Sequence, residues 1–396
     1  MSRSFDTSLN EFIPPRMRAL EAEMVSLRRH IHAHPELSFE EFETSELVAQ
    51  RLAEWGYTVH RGLGGTGVVG TLTNGCGKSL GLRADMDALP LSETTGLAYA
   101  SKRDGVMHAC GHDGHTAMLL AAARCLAESR SFTGTLNLIF QPAEEYGGGA
   151  RKMLDDGLLE RFPCDAVFAM HNMPGFPAGR FGFLAGPFMA AADTVTIRIV
   201  GYGGHGAVPH KAVDPVVASA SLVMGLQTVV ARNVDPLETG IVSVGAIHGG
   251  SAANIIPDSV EIRLSVRSLS KDVRDCLQER VTALAHAHAQ AYGARAEIDY
   301  ERGYPVLFNH PEETRLAQSV VRDWLGDEAL VHDIRPITAS EDFAYILEQC
   351  PGCYLLVGNG EGKGGCMAHN PGYDFNDEIL PIGASYWVRL AERFLS

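Results

Sequence analysis

Apolar residues recur at helical spacing between residues 17 and 55, and the run is interrupted at His34-Pro35. A residue that precedes proline is turned away from helical geometry, so two helices are predicted rather than one. Ser38-Phe-Glu-Glu41 has the form of a capping box for the second of them. Short β-rich segments follow at Gly67 to Thr73 and Ser79 to Ala84, the latter running into Asp85-Met-Asp87. Helical spacing returns from Thr116 to Ala127. Strands are predicted for Gly134 to Gln141, which ends at Pro142-Ala-Glu-Glu145, and for Ala166 to Met170, which ends at His171. Three strands thus bring polar residues to one edge, as in α/β sheets, whose sites lie at the carboxyl ends of their strands.

Beyond residue 190 the pattern changes. Alternation over Thr194 to Ile199 marks a half-exposed strand, Asp214 to Val230 a long helix, and Ile241 to Ile247 and Ser259 to Val266 two further strands. Leu277 to Tyr292 reads as helix and Ala296 to Tyr300 as a last strand. In order this is β-α-β-β-α-β, a ferredoxin-like unit able to fold alone. From about 310 onward the chain returns to α/β character and carries Glu341-Asp342 and His369. At 396 residues the chain exceeds what one hydrophobic core usually fills. The expected architecture is an α/β domain over 1–190 and 306–396, with a central mixed sheet flanked by helices, interrupted by the smaller domain over 191–305.

Composition narrows the function classes. With 45% hydrophobic and 20% charged residues the chain is of ordinary globular make-up. Its longest apolar runs fall short of the roughly 18 residues of a membrane span. A formal charge of −15 disfavours nucleic acid and anionic membranes, which are bound through excess Lys and Arg. Eight irregularly spaced Cys suit reduced thiols better than a disulfide framework. The segment Met1 to Met24 offers no apolar leader core, so a cytoplasmic protein is expected.

The densest chemistry lies in Met107-His-Ala-Cys-Gly-His-Asp-Gly-His115, a glycine-relieved loop ahead of a helix. Thiolate and imidazole suit zinc and related ions, and Cys-x-His spacing lets both reach one centre. Glu144-Glu145 offers one carboxylate for a metal and one for proton transfer, and His171 ends the next strand.

Read together, Arg29-His-Ile-His-Ala-His-Pro-Glu-Leu37, Leu82-Arg-Ala-Asp-Met-Asp-Ala-Leu-Pro90, the Met107–His115 loop, Phe140-Gln-Pro-Ala-Glu-Glu145, Met170-His-Asn172, Gly203-Gly-His205, Asn254-Ile-Ile-Pro-Asp258, Ser340-Glu-Asp-Phe343 and Ala368-His-Asn-Pro371 carry a resemblance over nearly the whole chain. The chain resembles the metal-dependent aminoacylase and carboxypeptidase group of amidohydrolases (peptidases), in the branch of hippurate hydrolase and the indole-acetyl-amino acid hydrolases. The resemblance implies hydrolysis of N-acyl amino acids, with cleavage of small peptides by a dipeptidase or carboxypeptidase activity as the alternative. It also implies two divalent ions (Zn, Mn, Co or Ni) held by Cys110, His112, Glu145, His171 and His369, and Glu144 as general base. Asp85 matches an aspartate that steadies a metal-binding His. The smaller domain is implied to be a lid and dimer interface, with a homodimer or dimer-based homo-oligomer as the assembly. Its His205 is implied to stabilise the oxyanion, and Asn254 and Arg267 to bind substrate. Arg263 lies on the same strand face as Arg267, so either could take a substrate carboxylate.

Other signals carry less. Gly62-x-Gly64-x-x-Gly67 has the letters of a dinucleotide fingerprint but precedes a strand. Gly77-Lys78-Ser79 lacks the first glycine of a P-loop, Leu72 standing there. Cys350-Pro-Gly-Cys353 has redox-pair spacing, yet Cys353 leads into an apolar strand-like run. His30, His32 and His34 are expected to be structural, and His286 and His288 to lie on the surface.

Overall fold

The computed structural model describes residues 11–361 and 366–396. Residues 1–10, part of the N-terminal stretch read above, and 362–365 lie outside them. Two compact units divide the chain: Met1–Gly186 with Phe308–Arg335 and Asp342–Ser396, and Pro187–Leu307 with Pro336–Glu341. The short Pro336–Glu341 segment carries no pattern that assigns it to the second unit from sequence.

The larger unit is built on an eight-stranded mixed sheet in the order Thr58–Leu63, Gly67–Asn74, Gly134–Gln141, Ser79–Asp85, Ala166–Pro174, Gly352–Gly360, Phe181–Gly182, Leu330–Val331. The four central strands, from Gly134–Gln141 to Gly352–Gly360, run parallel. They are almost wholly buried, which explains their continuous apolar runs. The helix His112–Ser129 is buried nearly all round and packs against Leu380–Phe394. Burying each large aliphatic side chain there contributes about 1.5–3 kcal/mol.

The helical hairpin at the start forms as Glu21–Ala33 and Phe42–Glu54. Its second helix is not capped by Ser38. Glu36 accepts the backbone N–H groups of Glu43 and Thr44 at 3.0 and 2.8 Å, and Ser38 and Glu41 turn inward instead. The glycines at 62, 64 and 67 belong to the turn of a hairpin pairing Thr58–Leu63 with Gly67–Asn74.

The smaller unit folds as β-α-β-β-α-β. Strands Gly240–His248, Ser259–Ser268, Ala191–Val200 and Arg295–Arg302 lie in that order, each antiparallel to its neighbour. Alternate residues of the two central strands, Val195, Ile197, Ile199, Val260, Ile262, Leu264 and Val266, face one core. Helices Pro215–Asn233 and Lys271–Ala291 cover it. Each has a side-chain cap: Asp214 accepts from Val216 N at 2.8 Å, and Ser270 from Val273 N at 3.2 Å. Pro215–Asn233 corrects the expectation that no segment has the length for a membrane span. It meets that criterion with a mean hydropathy of 1.3, but Ala218, Leu222, Leu226 and Val229 pack into the core of their own unit. His288 is likewise corrected: its Nδ1 lies 2.9 Å from Ser221 Oγ, joining the two helices, whereas His286 is exposed.

One buried ion pair ties this unit together. Arg274 Nε donates to Asp193 Oδ1 and Oδ2 at 3.1 Å, and Tyr300 Oη donates to Oδ2 at 3.1 Å. Removing one partner leaves a buried charge uncompensated. Asp193→Ala is therefore expected to lower the unfolding free energy of the smaller unit by about 3–5 kcal/mol in urea titrations. A change under about 0.5 kcal/mol would show that water reaches Arg274.

Candidate metal centre

The register of the parallel strands decides which residues meet. Asp85 stands opposite Gln141 and Arg83 opposite Ala169, so Asp85, the turn Pro142–Glu145 and His171 emerge at one edge of the sheet. The loop before His112–Ser129 reaches the same edge through Gly111, at φ +98°. A Cβ there would stand 2.3 Å from Asn172 Oδ1, so glycine supplies both the conformation and the space. His369 is fastened by its own N–H, which donates to Ala109 O at 2.8 Å, and holds φ at +65°. A left-handed non-glycine residue costs about 1–2 kcal/mol, so the surroundings must hold it there.

The side chains converge. Cys110 Sγ lies 3.2 Å from His171 Nε2, and His369 Nε2 lies 3.2 Å from Glu145 Oε1. His112 Nε2 is 3.8 Å from both Glu145 Oε1 and Asp85 Oδ2. Three groups, Cys110/His112/His171, Cys110/Glu145/His369 and His112/Glu144/Glu145, each have donor atoms within 4.8 Å of one another, and shared members link them into one cluster. Two imidazoles have their other nitrogen engaged: His171 Nδ1 lies 2.6 Å from Asn172 O and His112 Nδ1 3.2 Å from Asp87 Oδ1. Both therefore turn Nε2 to the cluster, the arrangement of a metal-binding His.

Electrostatics tests whether a metal fits. Among the described residues His112 Nε2 is buried without a hydrogen-bond partner. Burial opposes its protonation, but Asp85 and Asp87 outweigh that and push His112 up to about 10. Burial, followed by Glu145 and Glu144, pushes the Cys110 thiol well above its ordinary range. Burial and His115 hold His171 neutral. The His112 side thus demands positive charge, and Cys110 can ionise only beside a cation. A divalent ion answers both, and thiolate, imidazole and carboxylate form a donor set for zinc or a related ion.

The residues named from the sequence converge at one edge, and they are supported by others that the sequence did not single out. Asp85 was expected to steady a metal-binding His. Its Oδ1 lies 2.6 Å from His115 Nδ1 and its Oδ2 3.8 Å from His112 Nε2, while Asp87, two residues on, meets His112 Nδ1. His115 Nε2 lies 2.7 Å from Asn172 Oδ1, and Asn172 Nδ2 donates to Tyr373 Oη at 2.6 Å. Arg83, fully buried, donates to Asp85 at 2.7 Å, Gln141 at 2.8 Å and Asp342 at 3.2 Å. The repeated acid in Asp85-Met-Asp87 was the available signal for Asp87.

On the smaller unit, His205 pairs with Ile255 and Gly206 N donates to Asn254 O at 2.8 Å, which brings His205 and Asn254 together. Arg267 Nη1 donates to neutral oxygens, Ser340 Oγ at 3.2 Å and Thr338 O at 3.4 Å. Arg263, exposed, donates to Glu261 at 2.8 Å. Cys350 and Cys353 are free thiols that burial pushes up to about 12, the opposite of a reactive redox pair.

Residues 81–393 match peptidase family M20/M25/M40. The chain belongs to this family. Among M20/M25/M40 relatives, it is 44% identical to the hippurate hydrolase of Campylobacter jejuni, over 96% of this chain and 99% of that protein. It is 42% identical to the N-acetyl-L-cysteine deacetylase of Bacillus subtilis, over 96% and 90%. The crystal structure of Bacillus subtilis YXEP, described as a dinuclear metal-binding peptidase of the M20 family, superposes with a TM-score of 0.83 at 33% identity, over 96% of this chain and 99% of that one.

The helix that begins at His112 is anchored by a second buried network. His32 Nδ1 lies 2.8 Å from Asp113 Oδ2 and its Nε2 3.4 Å from Glu93, while Arg28 binds Asp374 at 3.0 Å and Asp377 at 2.8 Å. Burial opposes the charge on His32, but the bonds to Asp113 and Glu93 raise it from 6.5 to about 9. A raised histidine stabilises the fold fully below pH 6.5 and loses that contribution as pH rises through 9. Between about pH 6 and about pH 9.5 the wild type is expected to lose on the order of 3 kcal/mol more unfolding free energy than His32→Gln. Parallel pH profiles for the two proteins would contradict the ion pair.

Proposed function

We propose that the chain hydrolyses the amide bond of N-acyl amino acids, releasing a carboxylate and an amino acid. The observation that carries this reading is the convergence of Cys110, His112, Glu145, His171 and His369 at one sheet edge, with Glu144 beside them. These five residues would hold two divalent ions, which when bound supply Lewis acidity for the scissile carbonyl and make a nearby water more acidic. Glu144 takes the proton from that water as its oxygen attacks the carbonyl carbon. The same carboxyl returns the proton to the leaving nitrogen, without which the amine could not depart. Asp87, Asp85 and His115 hold the ligands in orientation.

The substrate class follows from what the two curated relatives share in name: hippurate and N-acetyl-L-cysteine are both acylated amino acids with a free carboxylate. Arg267 is assigned to that carboxylate, because its guanidinium donates to the neutral oxygens of Ser340 and Thr338 whereas Arg263 is paired with Glu261. His205 is assigned to the developing oxyanion and Asn254 to the amide. All eight cysteines are free thiols, which suits the cytoplasm, and a homodimer paired through the smaller unit accompanies the reading.

Treatment with a chelator is expected to abolish hydrolysis of N-acetyl, N-benzoyl or indole-acyl amino acids, and Zn, Mn, Co or Ni to restore it. Glu144→Gln is expected to lose about 10²–10⁴-fold in kcat while keeping its metal. Turnover that survives complete metal removal would overturn the reading, and full activity in Glu144→Gln would overturn the base.

A further inference from the structure

The turn that carries Glu144 and Glu145 has a constrained backbone. Ala143 holds φ at +52°, a conformation that a non-glycine residue keeps only when its surroundings impose it. Its carbonyl accepts from Gly149 N at 2.9 Å. The chain folds back so tightly there that a Cβ on Gly149 would stand 1.7 Å from Pro142 O. The N–H of Ala143 donates to Glu41 Oε1 at 2.8 Å.

Glu41 is fully buried and comes from the linker between the first two long helices, where sequence reasoning gave it only a capping role. Its other oxygen accepts from Thr66 Oγ1. The same linker reaches the far side of the turn, since Ser38 Oγ donates to Asp87 Oδ2 at 2.7 Å and that oxygen accepts Glu145 N at 3.0 Å. Glu144 therefore stands between two anchored amides, Ala143 fixed by Glu41 and Glu145 by Asp87.

We propose that Glu41 is the positioning residue of the base: by holding the Ala143 N–H it fixes the direction in which Glu144 leaves the turn. The inference rests on the reading of Glu144 as general base. What Glu41 must supply is an acceptor at one place, not a charge. Glutamine keeps that acceptor, and Thr66 Oγ1 can turn to accept from its amide. Aspartate keeps the charge but withdraws the acceptor by one methylene.

The test is steady-state kinetics of the metal-loaded Glu41→Gln, Glu41→Asp and Glu41→Ala enzymes, with metal content and hydrogen exchange at the Ala143 amide measured alongside. Glu41→Gln is expected to stay within about threefold of wild-type kcat. Glu41→Asp and Glu41→Ala are expected to lose about a hundredfold in kcat, with KM within about threefold and metal content unchanged, because a misplaced catalytic group costs rate more than binding. Ala143 should exchange at least about tenfold faster in both. Should Glu41→Ala fail to fold, Glu41→Asp gives the same reading. Wild-type kcat or wild-type Ala143 exchange in the folded Asp or Ala variants would overturn the proposal. So would a loss in Glu41→Gln as deep as in Glu41→Ala, which would make the charge the essential feature. Exchange at Ala143 does not depend on turnover, so a wild type without amidohydrolase activity would sink the reading of the base while the Glu41 contact is still scored.

Discussion

A cluster of buried carboxylates, imidazoles and one thiol at a sheet edge is unstable without positive charge, and this constraint organises the larger unit. Carboxylates at that density raise His112 toward a proton against the effect of its burial, and burial together with them keeps the Cys110 thiol from ionising. A pair of divalent ions relieves both at once, because metal and proton compete for the same imidazole and thiolate. The cluster therefore fits divalent metal by its charge balance as well as by its geometry.

Holding such a cluster in one arrangement takes support from several parts of the chain. Asp87 fixes one imidazole, the Asn172 carbonyl another, and Arg83 draws Asp85, Gln141 and Asp342 into one buried network. Ala143 and His369 both lie in the left-handed region, so strain is held immediately before the Glu144-Glu145 pair and at His369. Preorganisation of this kind is what proton transfer at a fixed distance requires.

Much of this was legible in the sequence. The strands that deliver Asp85, Glu144-Glu145 and His171 announced themselves as apolar runs ending in polar residues, and Gly134–Gln141 was placed to the residue. The β-α-β-β-α-β order of the smaller unit followed from its alternation. What was not legible depended on contacts between segments far apart in the chain. Glu41 and Ser38 look like a helix cap locally, and only the tertiary fold turns them toward Ala143 and Asp87. Asp85 and Asp87 are indistinguishable by spacing, and only the fold shows that Asp87 meets His112 Nδ1 while Asp85 holds His115 Nδ1. Pro215–Asn233 reaches the hydropathy of a span because one side feeds a core while Val216, Val217 and Met224 stay exposed.

The most direct measurement is anomalous diffraction from crystals of the protein loaded with zinc or manganese. Two peaks per chain are expected within ligand distance of Cys110, His112, Glu145, His171 and His369, with the Glu144 carboxylate uncoordinated beside them. A single peak, or peaks whose ligands leave out Cys110 and His112, would contradict a two-ion centre built on this cluster.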